Sequence, residues 1–419
     1  MFTFLRCNGA MAASSQTSEI PDWRKFAFAG FVLLLFSYQF TPFAQVLDFA
    51  AIPVSGHVIG GDYPVFWLAA REVMQGHAVA LYDPAAFKAL AIAAFGPDFN
   101  SVTWLYPPHA LLLLAPPAML PFGLGWLTLI GGSFLLFIAI AQMCFPRTPN
   151  FIFALMISPC VIGTILAGQT GFLASALLLG GLVLIERKPI LAGVLIGCLT
   201  IKPQLGLLIP FILVASGAWR ALAAAIVTTI ILVALSAAIF GLDAWGSYFA
   251  ALTGGDSTAL LEYAVHKPGA TLTSLYGLAR YAGLPPGLAF ALQGLVAIAA
   301  ACTAVLVARS KADAAAKGVA FVALSYCVSS YLMIYDFPAL GAVAAALALG
   351  GAGRLSIVDR IVAWAAYATP LVQFATGWTV APLGSLVVPI FAAFSAWRVF
   401  ADRELGSAVS HPPLSEMGR

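Results

Sequence analysis

Uncharged apolar runs recur along this chain at the length a helix needs to cross a lipid bilayer, which excludes most folds at once. Between charged residues and Pro/Gly punctuation they lie near 26–46, 123–145, 151–167, 170–185, 189–201, 204–217, 220–240, 286–308, 316–334, 338–352, 358–376 and 380–398. Composition agrees. Of 419 residues 62% are hydrophobic and 9% charged, where soluble domains carry roughly 25% charged residues. The expected fold is all-α, a polytopic transmembrane bundle of about 12 spans, in a range of roughly 10–13. One segment does not fit a simple span. Residues 107–121 hold Pro107, Pro108, Pro116, Pro117 and Pro121, and the expectation is a re-entrant or short helix covered by protein.

Orientation is read from the placement of Lys and Arg, which accumulate on the cytoplasmic side. With the N-terminus inside, fifteen of the 20 fall in cytoplasmic segments, leaving Arg71, Lys88, Lys202, Lys267 and Arg280 outside. Domain boundaries follow: a disordered cytoplasmic leader over 1–25, a membrane domain over 26–400 and a cytoplasmic tail over 401–419. Two outer segments are long, about 47–106 and about 241–285. Within the first, Phe66 to Met74 and Ala85 to Phe95 carry apolar residues at helical spacing and are expected to lie along the membrane surface. The six cysteines show no CxxC spacing and read as small core residues. No basic tract suggests nucleic acid, and no HExxH, Walker or dinucleotide fingerprint is present, so neither metal nor cofactor is expected.

Four polar groups stand out, and the topology puts all of them on the outer face. In Gly60-Gly61-Asp62-Tyr63-Pro64 the carboxylate of Asp62 can accept a proton from an attacking hydroxyl, or cap a helix starting near Pro64. In Trp104-Leu105-Tyr106-Pro107-Pro108-His109 the aromatics read as ligands or as interfacial anchors, and His109 as a functional group or a buried hydrogen-bonder. Gly168-Gln169-Thr170-Gly171 joins Lys202-Pro203-Gln204. Lys202 interrupts the apolar stretch Ala192 to Pro210, at a cost on the order of 2–3 kcal/mol unless it faces a cavity or a partner. It can hold a phosphate, or snorkel to the interface. Asp336, in Tyr335-Asp336-Phe337-Pro338, can orient a sugar hydroxyl, pair with Lys202 or cap the next helix. The second outer loop adds His266-Lys267-Pro268 and Thr273-Ser274 as unspecific contacts.

Taken in order, GGDYPVFWLAAREVMQG, LYDPAAF, LYPPHALLLLAPPAMLPFG, GQTGFLASALLLGGLVLIERKPILAGVLIGCLTIKPQLGLLIP and SSYLMIYDFPAL resemble glycosyltransferase family 87 of the membrane-embedded GT-C superfamily, over roughly residues 60–340. The chain departs from that pattern at Ser330 and Ile201. The resemblance implies a hexosyltransferase of GT-C type in the plasma (inner) membrane. It would move a hexose, commonly mannose, from a polyprenyl-phosphate-linked donor to an extracytoplasmic lipid or glycan acceptor. It also implies a catalytic Asp in the first outer loop, here Asp62, acting as general base with inversion at the sugar. Lys202 and His109 are then the expected ligands of the donor phosphate, and Tyr63, Tyr106, Gln169, Gln204, Lys267, Tyr335 and Asp336 the expected substrate contacts. The rival from another class is a transporter or lipid-linked-sugar flippase, which would spread polar residues along a path through both leaflets.

Overall fold

The computed structural model describes residues 61–401 apart from 98, 100–103, 146–147, 267–271, 351–354 and 378–380. The first span at 26–46, the leader, the tail and Lys267 lie outside the described residues. What is described is helical, with a lone antiparallel bridge between Leu272 and Met333.

Five helices are long and apolar enough to cross a membrane: Phe122–Cys144, Pro149–Ala167, Trp219–Phe240, Pro286–Arg309 and Gly384–Ala401. The second is interrupted at Ile157–Ser158. Between them stand shorter apolar helices, Gly171–Val183, Pro189–Leu199, Pro203–Ala215, Ala314–Tyr326 and Pro338–Leu349. These fall short of the ~20 residues a single span takes, so the expected dozen spans do not all appear as full-length helices. Trp219–Phe240 and Pro286–Arg309 turn Ile230, Ile231, Leu295 and Ile298 outward, the arrangement of helices that face lipid. Gly171–Val183, Ala314–Tyr326 and Pro338–Leu349 are the inner ones, and Pro189–Leu199 is buried on one side only. Gly193 and Gly197, four apart, let the latter meet Trp219–Phe240 so closely that a Cβ on Gly193 would stand 2.3 Å from the Ala221 carbonyl oxygen. Small residues at that spacing are how helices pack in a medium where apolar surface gains nothing by leaving lipid.

We label four elements that shape the site. Helix α1 spans Tyr63–Met74, α2 Pro84–Phe95, α3 Leu111–Ala118 and α4 Asp256–His266. Most of α1 is covered by protein on every side: each residue from Tyr63 to Ala70 is buried. Its aromatics explain why. Phe66 meets Trp104 and Tyr106 edge-on, Trp67 meets Phe122 and Phe95, and Trp67 Nε1 donates to the Leu120 carbonyl at 3.2 Å. A stretch apolar all round, as Tyr63 to Ala70 is, belongs inside, and only the last turn, at Arg71 and Met74, is exposed. By contrast α2 is one-sided, burying Phe87, Ala91 and Phe95, and Asp83 caps it by accepting from the Ala85 and Ala86 amides. The proline-rich segment is the short covered helix α3, entered through a 3₁₀ turn at Pro108–Ala110.

The span expected at 316–334 ends early, at Tyr326. Beyond it the Ser329 hydroxyl accepts from the Tyr331 amide and donates to the Tyr331 carbonyl, while Gln293 Nε2 donates to the Cys327 carbonyl. Local side-chain bonds of this kind compete with a helix ladder. Non-helical backbone is tolerated inside a membrane protein where other protein covers it. Here it carries Ser330, Tyr331, Met333 and Tyr335 to the site.

Candidate active site

Where α1, the turn after Ala167, the break before Pro203 and the unwound segment 327–337 converge, the described residues enclose a cavity of about 430 Å³. Asp62, Tyr106, Gln169, Lys202, Gln204 and Tyr335 all line it. Six of the expected site residues thus come together from segments far apart in the chain.

Glycines set the close approaches. Gly61 holds a left-handed φ of +61° and lies against the preceding wall so tightly that a Cβ would stand 2.2 Å from the Ala167 carbonyl oxygen. That contact seats the Asp62 amide 2.8 Å from the same oxygen. Gly171 does the same on the other side, since its Cβ would meet the Tyr335 carbonyl oxygen at 1.9 Å. Gly171→Ala is therefore expected to force the two segments apart and lower stability by roughly 1–3 kcal/mol. The melting midpoint of purified protein in detergent measures this, and an unchanged midpoint would show that the 327–337 segment can yield.

Asp62 occupies the N-cap position of α1, yet its side chain makes no cap hydrogen bond. Oδ2 instead accepts from Gln169 Nε2 at 2.8 Å. Gln169 Oε1 in turn accepts from the Thr170 amide at 3.2 Å and from the Tyr106 hydroxyl at 3.1 Å, and that hydroxyl also meets Thr170 Oγ1 at 2.9 Å. Lys202 is 4% exposed and Asp336 1%. They form an ion pair at 2.7 Å between Nζ and Oδ1. Asp336 Oδ2 accepts from the Met333 amide at 3.0 Å, so this carboxylate both pairs with Lys202 and caps its turn. The ammonium stands 5.1 Å from the Tyr335 ring centre and 6.0 Å from that of Tyr106. Lys202 does not snorkel. It is anchored from behind and turned to the cavity.

Three expected contacts among the described residues are not brought to the cavity wall. Tyr63 is fully buried, edge-on to Phe122 at 5.1 Å, with its hydroxyl lodged over Gly125. His109 stacks on Trp245 at 5.6 Å between centres, with Nε2 3.0 Å from Thr200 Oγ1. His109 does not line the cavity, and its Nδ1 is buried without a hydrogen-bond partner among the described residues. Asp336 also stays behind the wall, reaching the cavity only through Lys202. The wall contains residues that sequence analysis passed over: Tyr248 and Leu252 from Leu242–Thr253, Leu261 and Tyr263 from α4, and Phe290. The dense Trp245, Tyr248 and Phe249 cluster between two apolar runs was the available signal. Helix α4 is tied down by Glu262, which accepts from Arg280 Nη2 at 2.7 Å and from the Tyr276 hydroxyl at 2.7 Å. The Arg280 hydrogen bonds hold the Glu262 carboxyl below its usual range against a smaller opposing effect of burial.

The family model for glycosyltransferase family 87 matches residues 104–335, more than half of the chain. The chain belongs to glycosyltransferase family 87. It is therefore a membrane glycosyltransferase, with a sugar donor and an acceptor to accommodate. No curated protein and no solved structure matches it. Within the family match lie Tyr106, Gln169, Lys202, Gln204 and Tyr335; Asp62 precedes it and Asp336 follows it.

Proposed function

We propose that this family 87 member transfers a hexose, mannose by the family resemblance, from a polyprenyl-phosphate-linked donor to a hydroxyl of an extracytoplasmic lipid or glycan acceptor. The observation that carries the reading is one cavity shared by an ionisable carboxylate and a buried ammonium, Asp62 and Lys202, joined through Gln169 and Tyr106. The acceptor oxygen attacks the anomeric carbon from the face opposite the phosphate and inverts it. As the new C–O bond forms, the bond from that carbon to the phosphate oxygen breaks, and Asp62 takes the acceptor's proton as general base. The phosphate leaves already anionic, so it needs no proton from a second carboxylate of the kind hydrolases use.

Lys202 gives one of its three N–H groups to Asp336 and keeps the others for the phosphate. A fixed, desolvated donor aimed at developing charge is worth more than one that must reorient in water. Gln204, Tyr106 and Tyr335 line the space left for the sugars. The arrangement of Lys and Arg supports a cavity that opens outside the plasma membrane. The division into a leader over 1–25, a membrane domain over 26–400 and a tail over 401–419 is part of the same proposal.

Membranes containing the protein, supplied with polyprenyl-phosphate mannose labelled in the sugar, are expected to yield a labelled product that chromatography separates from the donor. Transfer from a nucleotide sugar in its place would overturn the donor assignment. Purified protein that moves the lipid-linked sugar across liposomes without transferring it would favour the flippase.

A further inference from the structure

Gln169 faces the cavity and was expected to touch substrate, but both acceptor positions of Oε1 and one N–H of Nε2 are spent within the protein. The Thr170 amide can only donate, and it donates to Oε1, so the orientation of the side-chain amide is settled and Nε2 must be the atom that meets Asp62 Oδ2. Oε1 is taken a second time by the Tyr106 hydroxyl. That hydroxyl then stands as acceptor for Thr170 Oγ1. The backbone at Gly168 and Thr170 fixes this arrangement: Gly168 closes the helix before it in a left-handed conformation, and the helix that follows begins at Gly171. Asp62 has only Gln169 as a described side-chain partner, and its own helix makes no use of its carboxylate oxygens.

We infer that Gln169 is a positioning residue of the transfer reaction, resting on the proposed role of Asp62: it locks one carboxylate oxygen so that the other, Oδ1, is presented to the acceptor hydroxyl. Tyr106 and Thr170 complete the lock by holding the Gln169 amide against rotation. Base and phosphate ligand thereby keep a set separation, because the same Tyr106 packs its ring against the Lys202 ammonium. A base displaced by as little as about 1 Å loses on the order of a hundredfold in rate, while binding of donor and acceptor elsewhere in the cavity is untouched.

Two variants test this. Gln169→Asn is one methylene shorter and cannot span from the Thr170 amide to Asp62. It is expected to lower turnover about 10–100-fold with the KM of donor and acceptor little changed. In an Asp62→Asn background it should lower the residual rate no further, since there is no base left to aim. A raised KM at unchanged turnover would make Gln169 a substrate contact and overturn the inference. Gln169→Glu places two carboxylates in hydrogen-bond contact, which then share a proton. The other titratable groups facing this point are Tyr106, Tyr331, Tyr335 and Lys202, with Asp336 behind Lys202. Turnover of this variant should be depressed at neutral pH and recover as pH rises and the shared proton leaves. Its melting midpoint, relative to the unaltered protein, should fall over the same rise, because the two ionised carboxylates then repel. A variant whose pH profile and melting midpoint both track the unaltered protein shows that the contact with Asp62 is absent, and the inference fails. The melting measurement needs no substrate. If it shows the shared proton while the unaltered protein transfers nothing from polyprenyl-phosphate mannose, the donor assignment falls and the Gln169–Asp62 contact stands.

Discussion

Asp62→Asn is expected to lower the rate of sugar transfer at least about a hundredfold without unfolding the protein, because a general base contributes on the order of 10²–10⁴-fold. The substitution is close to isosteric. The asparagine Oδ1 can accept the same hydrogen bond from Gln169 Nε2 that the carboxylate accepts now at 2.8 Å. The backbone contact between residue 62 and the Ala167 carbonyl does not involve the side chain at all. Nor does the start of α1, since Asp62 makes no cap bond there. An amide, however, cannot take the acceptor's proton in the transition state. The loss should therefore appear in turnover at saturating donor, with the melting midpoint of the purified protein unchanged. Turnover near that of the unaltered protein would remove Asp62 from the role of base. A large drop in melting midpoint would instead show that its charge supports the fold.

The membrane class and the convergence of distant motifs were legible in the sequence for a simple reason. Both depend on what lipid forbids. A lysine within Ala192 to Pro210 has to face a cavity or a partner, and Lys202 does both. Asp336 could be an orienting group, a partner or a cap for the next helix; it is the partner of Lys202, and its second oxygen closes the turn before it at the Met333 amide.

What could not be read was the burial of residues that look amphipathic or functional in one dimension. The helical spacing in Phe66 to Met74 signals one apolar face, but up to Ala70 the opposite face is also covered, with Trp104, Tyr106 and Phe122 from later in the chain packed on Phe66 and Trp67. Tyr63 and His109 sit next to cavity residues in sequence and turn away from them in space, one towards Gly125 and one towards Trp245. Residues 327–334 are apolar enough to prolong the helix before them. They leave it because the Ser329 hydroxyl and the Asp336 carboxylate satisfy the backbone locally, a choice that hydropathy does not register. Tyr248, Tyr263 and Phe290 join the wall through tertiary packing alone.

Lys202→Met is expected to destabilise the protein by about 3–5 kcal/mol, and adding Asp336→Asn should restore most of that loss without restoring activity. The first effect follows from burial. With Lys202 gone, the Asp336 carboxylate remains 1% exposed with no counter-charge at its Oδ1, and an unpaired charge in such a place costs far more than a neutral group. The second substitution removes the charge while asparagine retains an oxygen to accept from the Met333 amide, so the cap at 3.0 Å survives. Replacing both members of a buried pair by uncharged groups of similar size is often neutral for stability, since the desolvation of two ions disappears along with their attraction. Melting midpoints of the two single variants and the double variant give the coupling directly. Activity separates the structural role from the chemical one. If Lys202 holds the leaving phosphate, the stable double variant remains unable to use the lipid-linked donor at rates near those of the unaltered protein, for lack of the only cation that the described residues bring to the cavity. A double variant that is both stable and active would reduce Lys202 to a strut for the unwound segment and leave the donor phosphate to be held by other groups.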